Sequence, residues 1–200
     1  VVVQGDGPAF CAGADRGTLA AAGADPADER AYAAISDIYS SFMRVGSLRA
    51  PTVAAVTGAA VGAGLNLALA TDLRVVGRGA RLMSGFTQLG LHPGGGHVAI
   101  LARVAGREAA AAMAVFGEAI DGARAGRLGL AWDVVDDDQV RPRALDLARR
   151  VAADPELARA VVHSFRTESA TATLPWDVAA QLERPSQMWS MRRRHSPTDD

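Results

Sequence analysis

The sequence predicts an α/β fold, and three observations lead there. Short apolar runs of strand length (VVVQ at Val1–Gln4, TVAAV after Pro51, LRVV at Leu73–Val76) lie early in the chain. Helical spacing dominates from Val98 onward, and segments of helical pattern stand between the strands as crossovers. With 200 residues, 49% of them hydrophobic and 22% charged, the chain is long enough to bury one sizeable core. No repeat of fixed period and no break in composition marks a second domain.

In order along the chain, Val1–Gln4 reads as a short buried strand. Gly5–Gly23 is too rich in Gly and Ala to hold one regular structure. A helix is expected from about Asp25, with Pro26 at its first position and Asp28 and Glu29 in the positive first turn. Its buried face is Ile35, Ile38, Phe42 and Val45, and Gly46 stops it. The strand after Pro51 is followed by a small-residue helix over Ala63–Ala70 and by the strand Leu73–Val76. Residues Arg81 to Gly96 are turn-rich and mixed, ending in HPGGG. Helices follow over about Val98–Val104, Glu108–Phe116, Ala123–Leu128, Arg143–Ala152, Glu156–Arg166 and Val178–Trp189.

Charge and composition exclude several functions. The 21 basic and 22 acidic residues nearly cancel, and no basic stripe is interleaved with aromatics, so nucleic acid is not the expected ligand. The triplet Arg192–Arg194 reads as part of a solvated tail. Every basic residue is arginine, which removes Schiff-base chemistry and the phosphate-binding lysine of Walker loops. Cys11 is the single cysteine, so no internal disulfide forms and a reducing compartment, the cytoplasm, is expected. No apolar run reaches the roughly 18–20 residues of a membrane span, and VVVQG lacks the features of a signal peptide. VVVQGDG has no third glycine at dinucleotide-binding spacing, and His92 and His97 lack companions at metal-site spacing, so no metal is expected.

Two stretches carry the function: Val1–Asp15, VVVQGDGPAFCAGAD, and Gly58–Asp72, GAAVGAGLNLALATD. Each is an apolar run opening into small residues, as a backbone requires if its own N–H groups are to approach a ligand closely. The pair closely resembles the two oxyanion-hole segments of the enoyl-CoA hydratase/isomerase (crotonase) family, and Gly117–Val135 adds to the likeness, which spans Val1 to about Arg150. The resemblance implies a spiral of repeated ββα units, with a core over 1–150 and a helical segment over 151–200 that covers the pocket and forms trimers. Strands and a helix precede the equivalent of Val1 in that family, so an amino-terminal part is expected beyond this sequence.

By the same resemblance, the N–H groups of Ala14 and Ala63 receive the carbonyl oxygen of an acyl-CoA thioester. Substrate contacts are implied at Ala12, Gly13, Asp15, Gly62, Gly64, Ser84 and Gly94. Each donor of such a hole is typically worth about 3–4 kcal/mol of barrier. Asn66 and Phe86 occupy the two positions where a hydratase of the family carries glutamates. Asparagine does not titrate, and phenylalanine can only fill or dry the pocket. His92, in the loop bordering the acyl pocket, is a candidate acid/base, while His97 reads as structural at the start of the next helix. Ser84 and Gln88 lie near Phe86, but without a paired base Ser84 is a poor nucleophile. Cys11 reads as a small buried filler rather than a reactive thiolate.

The expected function is therefore binding of a fatty acyl- or enoyl-CoA, followed by lyase- or isomerase-type chemistry, decarboxylation included, without the two-glutamate pair. The alternatives are a non-catalytic acyl-CoA-binding protein and, third, an ordinary enoyl-CoA hydratase. CoA enters as part of the substrate, with no further cofactor. A homotrimer or a dimer of trimers is expected, with Trp176, Leu182, Met188 and Trp189 of Pro175–Met191 at a subunit contact.

Overall fold

A computed structural model describes residues 1–25, 28–169 and 175–195. The chain divides into two compact units, one of Val1–Leu48 with Thr52–Ala148 and one of Arg49–Pro51 with Arg149–Asp200. The expected helix start at Pro26, the side chain of Trp176 and the side chains of Arg192–Arg194 lie outside what is described.

The first unit is built on a parallel sheet of four strands: β1 (Val2–Gln4), β2 (Val53–Val56), β4 (Leu73–Gly77) and β7 (Asp133–Val135), in the order β1-β2-β4-β7. Val53 pairs with Val2 on one side and Leu73 on the other, and Val75 pairs with Asp133. All four residues of β2 are buried, as an interior parallel strand covered on both faces requires. β1 lies at the edge and is only half-buried, which corrects the reading of a buried strand. Asp72 fixes the start of the β2–β4 pair, accepting from the Thr52 N–H (2.7 Å) and hydroxyl (2.8 Å).

Side chains alternate across this sheet with the period of two that strands impose. Ala54, Val56 and Val76 face the larger core with Leu65, Leu82, Leu101, Met113 and Leu130. Val53, Ala55 and Val75 face the other side, against Val140 and Ala144 of the helix α6 (Val140–Ala152).

A second sheet, β3 (Ala59–Val61), β5 (Arg81–Met83) and β6 (Ala119–Asp121), pairs β3 and β5 in parallel and β5 and β6 antiparallel. None of these three-residue strands was expected from the sequence. They exist by pairing, because three residues are too few to show a period.

The helices follow the expected order with two corrections. Residues Arg16–Ala24 form a helix, α1, where an irregular segment was expected. Asp15 caps it by accepting from the Thr18 N–H at 2.8 Å, and the alanines then propagate the turns. The next helix, α2 (Glu29–Gly46), begins later than expected: Asp28 is its N-cap, accepting from the Ala31 N–H at 2.9 Å, rather than a first-turn residue. Of its expected buried face only Phe42 is fully buried, whereas Ile35 and Ile38 stand half-exposed because they line a cavity.

The remaining helices of this unit are α3 (Ala63–Leu69), α4 (His97–Ala114) and α5 (Gly122–Arg127). Gly106, at φ +82°, breaks α4 into the two pieces read from the sequence. In the second unit, α7 (Pro155–Ser169) and α8 (Trp176–His195) follow the end of α6. No helix among the described residues is long and apolar enough to cross a membrane.

Candidate active site

The sequence places small residues where two backbone segments must touch. Up to Cys11 the first segment is stitched to β3 like an extra strand: the Cys11 N–H donates to the Ala59 carbonyl and the Val61 N–H to the Cys11 carbonyl, both at 3.0 Å. It then turns away at Gly13, φ +100°, where a Cβ would come within 2.8 Å of the Val61 carbonyl oxygen and 4.0 Å of the Ala63 nitrogen. From the other side, Gly62 at φ +56° swings the chain into α3. Gly64 lets the first turn of that helix rest on Cys11, where a Cβ would collide with the Cys11 carbonyl. Ala14 and Ala63 are thereby brought to one wall. Among the described residues neither of their N–H groups has a hydrogen-bond partner, and Ala63 at the start of a helix has no intrahelical acceptor to use.

Both alanines line a cavity of about 610 Å³. Its apolar walls come from Leu19 and Ala22 of α1, from Ile35, Ile38 and Phe42 of α2, from the ends of β3 and β5 at Val61 and Met83, and from Phe86, Leu89 and Leu91. The polar side chains on its lining are Arg16, Tyr39, Asn66, Ser84, Gln88 and His92. No carboxylate lies among them. The size and the sparse polar groups are those of a small-molecule pocket.

Of the residues singled out in the sequence, Ala12, Gly13, Ala14, Gly62 and Ala63 reach this lining, as do Asn66, Ser84, Phe86, His92 and Gly94. Asp15 and Gly64 do not. Asp15 is occupied in capping α1, and the Thr18 N–H holds its carboxyl below the usual range. Gly64 packs behind the wall. Cys11 is half-buried against the core. His92 is exposed, and its Nδ1–H donates to the Pro93 carbonyl at 2.7 Å. The HPGGG loop needs its glycines to close on α2: a Cβ on Gly95 would stand 2.5 Å from Cζ of Phe42, and one on Gly94 would overlap the Tyr39 hydroxyl.

Beneath the cavity lies a buried polar chain that the sequence reading missed. His97 Nδ1 is 2.7 Å from Asn66 Oδ1, and His97 Nε2 is 2.7 Å from Ser84 Oγ. Asn66 Nδ2 donates to the Gly94 carbonyl at 3.2 Å. Each of the three side chains belongs to a residue only 1% exposed. The proton positions follow from the partners. Because the amide NH₂ must face the Gly94 carbonyl, its oxygen faces Nδ1, so Nδ1 carries the hydrogen, Nε2 accepts, and the Ser84 hydroxyl donates. His97 is therefore more than the helix-start residue expected, and Ser84 has the paired base it was thought to lack. The two residues are 13 apart, one just past β5 and the other opening α4, which no short motif signals.

Burial pushes the His97 pKa down to about 4, below the ordinary value near 6.5. The imidazole is neutral in the fold but takes up a proton on unfolding once the pH is below about 6.5. Its contribution is complete above that value and is lost as the pH falls toward 4. The expected result is a loss of about 3 kcal/mol of stability across this window, removed by His97→Gln and checked by urea unfolding at pH 7 and pH 4.5.

A layered α/β unit with two unpaired amides converging on an apolar cavity is the architecture of the crotonase fold. The chain belongs to the enoyl-CoA hydratase/isomerase family, whose model matches residues 1–195. It is 48% identical over 173 residues to a protein of Mycobacterium tuberculosis named probable enoyl-CoA hydratase, covering 86% of this chain and 64% of that one. It is 33% identical over 188 residues to the 1,2-epoxyphenylacetyl-CoA isomerase of Escherichia coli, covering 94% and 71%. A crystal structure of an enoyl-CoA hydratase from Polaromonas superposes with a TM-score of 0.84 at 30% identity, over 98% of this chain and 74% of that one. The chain thus spans just under two thirds of the length of the mycobacterial relative.

Proposed function

We propose that this protein holds an acyl-CoA thioester with its carbonyl oxygen between the N–H groups of Ala14 and Ala63, and acts on the acyl group by lyase- or isomerase-type chemistry. The observation that carries the reading is a pair of amides unpaired among the described residues, on one apolar cavity whose described lining holds no carboxylate. Two fixed donors stabilise the enolate-like oxyanion that forms when the α-carbon gains or loses a proton, and the dry walls strengthen them. Ordinary hydration of an enoyl group needs a carboxylate to activate water and an acid to protonate carbon. Asn66 and Phe86 supply neither, which is what supports a different reaction. Likeness to a protein named as an isomerase points the same way.

His92 is the candidate acid/base on the exposed rim. A non-catalytic acyl-CoA carrier is the second reading, favoured by the same missing carboxylates. The test is a crystal structure with a bound acyl-CoA: the reading requires the carbonyl oxygen within about 3.2 Å of both amide nitrogens, and a carbonyl pointing elsewhere overturns it. No cofactor beyond the substrate's own CoA is proposed, and a reducing compartment, the cytoplasm, suits a chain with one cysteine.

A homotrimer or a dimer of trimers is part of the proposal. In α8, Leu182 and Met188 stand 47% and 59% exposed, large apolar groups that a subunit contact would cover. Sedimentation at micromolar concentration should give a trimer or hexamer, and a monomer would count against it.

A further inference from the structure

The isomerase-type reading makes no use of the chain of hydrogen bonds running from Ser84 through His97 to Asn66. We propose that these three residues act as nucleophile, base and positioning group to hydrolyse the bound CoA thioester to a carboxylic acid and free CoA. The inference rests on the thioester being held by Ala14 and Ala63.

Three observations carry it. The order is that of an activated hydroxyl: Ser84 Oγ on Nε2 and the Asn66 carbonyl on Nδ1, both at 2.7 Å, with the only proton arrangement that Asn66 permits leaving Nε2 free to accept. Ser84 lines the same cavity as Ala14 and Ala63, and its carbonyl oxygen lies 3.5 Å from where a Cβ on Gly62 would stand, so it flanks the residue just before the Ala63 donor. Finally, among the described residues the lining offers no carboxylate that could serve as base instead. Nucleophile, orienting group and oxyanion donors thus line one space, with the base buried behind Ser84 and Asn66, and these are the parts acyl transfer needs.

The chemistry balances with one water. The Ser84 hydroxyl proton passes to Nε2 as Oγ bonds to the carbonyl carbon, and the oxyanion lies between the two amides. The C–S bond then breaks, and the CoA sulfur takes the proton from Nε2, leaving the acyl group as an ester on Oγ. Water gives a proton to Nε2 and attacks the ester. Oγ recovers that proton and the acid departs. The imidazolium exists only while the oxyanion does, so positive and negative charge appear together beside a largely apolar wall, with the Phe86 ring 5.0 Å from the imidazole. Asn66 is a neutral partner and stabilises the imidazolium less than a carboxylate would, so slow hydrolysis is expected.

The test uses the full chain and octanoyl-CoA, a saturated thioester that offers no double bond to hydrate or isomerise. Release of CoA thiol is followed with a thiol reagent, and the protein is examined by mass spectrometry for an acyl group on the peptide containing residue 84. In parallel, calorimetry measures binding of an uncleavable analogue in which a methylene separates the sulfur from the carbonyl. The expected result is thiol release that Ser84→Ala and His97→Gln each lower by about 100-fold or more, a loss larger than any change in their affinity for the analogue. Ser84→Cys, which keeps a nucleophile at the position, should carry the acyl group on residue 84. Analogue binding without thiol release from the unaltered protein overturns the inference and leaves the thioester site standing, as does hydrolysis by Ser84→Ala at the unaltered rate. Failure of the analogue to bind overturns the thioester site and the inference together.

Discussion

Ala63→Pro is expected to lower turnover, or thioester affinity if the protein only binds, by about 100-fold or more, because it deletes one of the two proposed oxyanion donors. The fold should tolerate it. Ala63 is the first residue of α3, the helical position where proline costs least, and its N–H serves no other partner among the described residues. Gly62 precedes it at φ +56°, ψ −117°, a mirror image of extended backbone that glycine can keep before proline. Steady-state kinetics and calorimetry with an acyl-CoA, beside a melting curve, check this. Unchanged binding and turnover in a variant that melts normally would show that the amide of Ala63 does not face the substrate.

The second expected result is hydration of a short enoyl-CoA far below the ordinary enzyme range of about 1–1000 per second. Asn66 is held at both ends, by His97 and by Gly94, and does not titrate. Phe86 packs its ring toward His97. Installing glutamate at both positions would supply carboxylates at a cost in stability, since a buried carboxylate without a full set of donors is expensive. At position 66 the new carboxylate would meet the Nδ1–H of His97, which offsets part of that cost, while at 86 it would replace the packing of an aromatic ring against His97. Hydration by the unaltered protein within the ordinary range, followed by spectrophotometry of the conjugated thioester, would mean that an acid and a base reach the double bond from elsewhere.

The parts of this fold legible in the sequence are those with enough residues to show a pattern. β2 announces itself as a short apolar run after Pro51, and α3 by its small residues after Gly62. The second half of the molecule reads as helices, down to the interruption of α4 at Gly106. The second sheet was illegible because strands such as Arg81–Met83 are fixed by their neighbours, not by their own composition. The alanines and glycines of α1 look equally suited to an irregular segment, and only the Asp15 cap, a local signal easily passed over, separates the two.

The site divides in the same way. The two small-residue stretches mark where backbone must approach a ligand, and family likeness names the use. The Ser84–His97 hydrogen bond could not be read, because it joins the end of β5 to the start of α4 across a loop whose course depends on packing against Tyr39 and Phe42.

That loop ties two properties together that a pocket might otherwise vary separately. Tyr39 and Phe42 are walls of the cavity and are also the surfaces on which Gly94 and Gly95 rest, and Gly94 holds the amide that sets the hydrogen on His97. Trimming either ring to admit a bulkier acyl group would therefore slacken the acceptor that orients Asn66 as well as deepen the space. The width of this cavity and the tautomer of a buried imidazole are mechanically linked, so a descendant of this chain with a wider pocket would have to re-anchor its HPGGG loop before it could keep the hydrogen bond from Asn66 to Gly94.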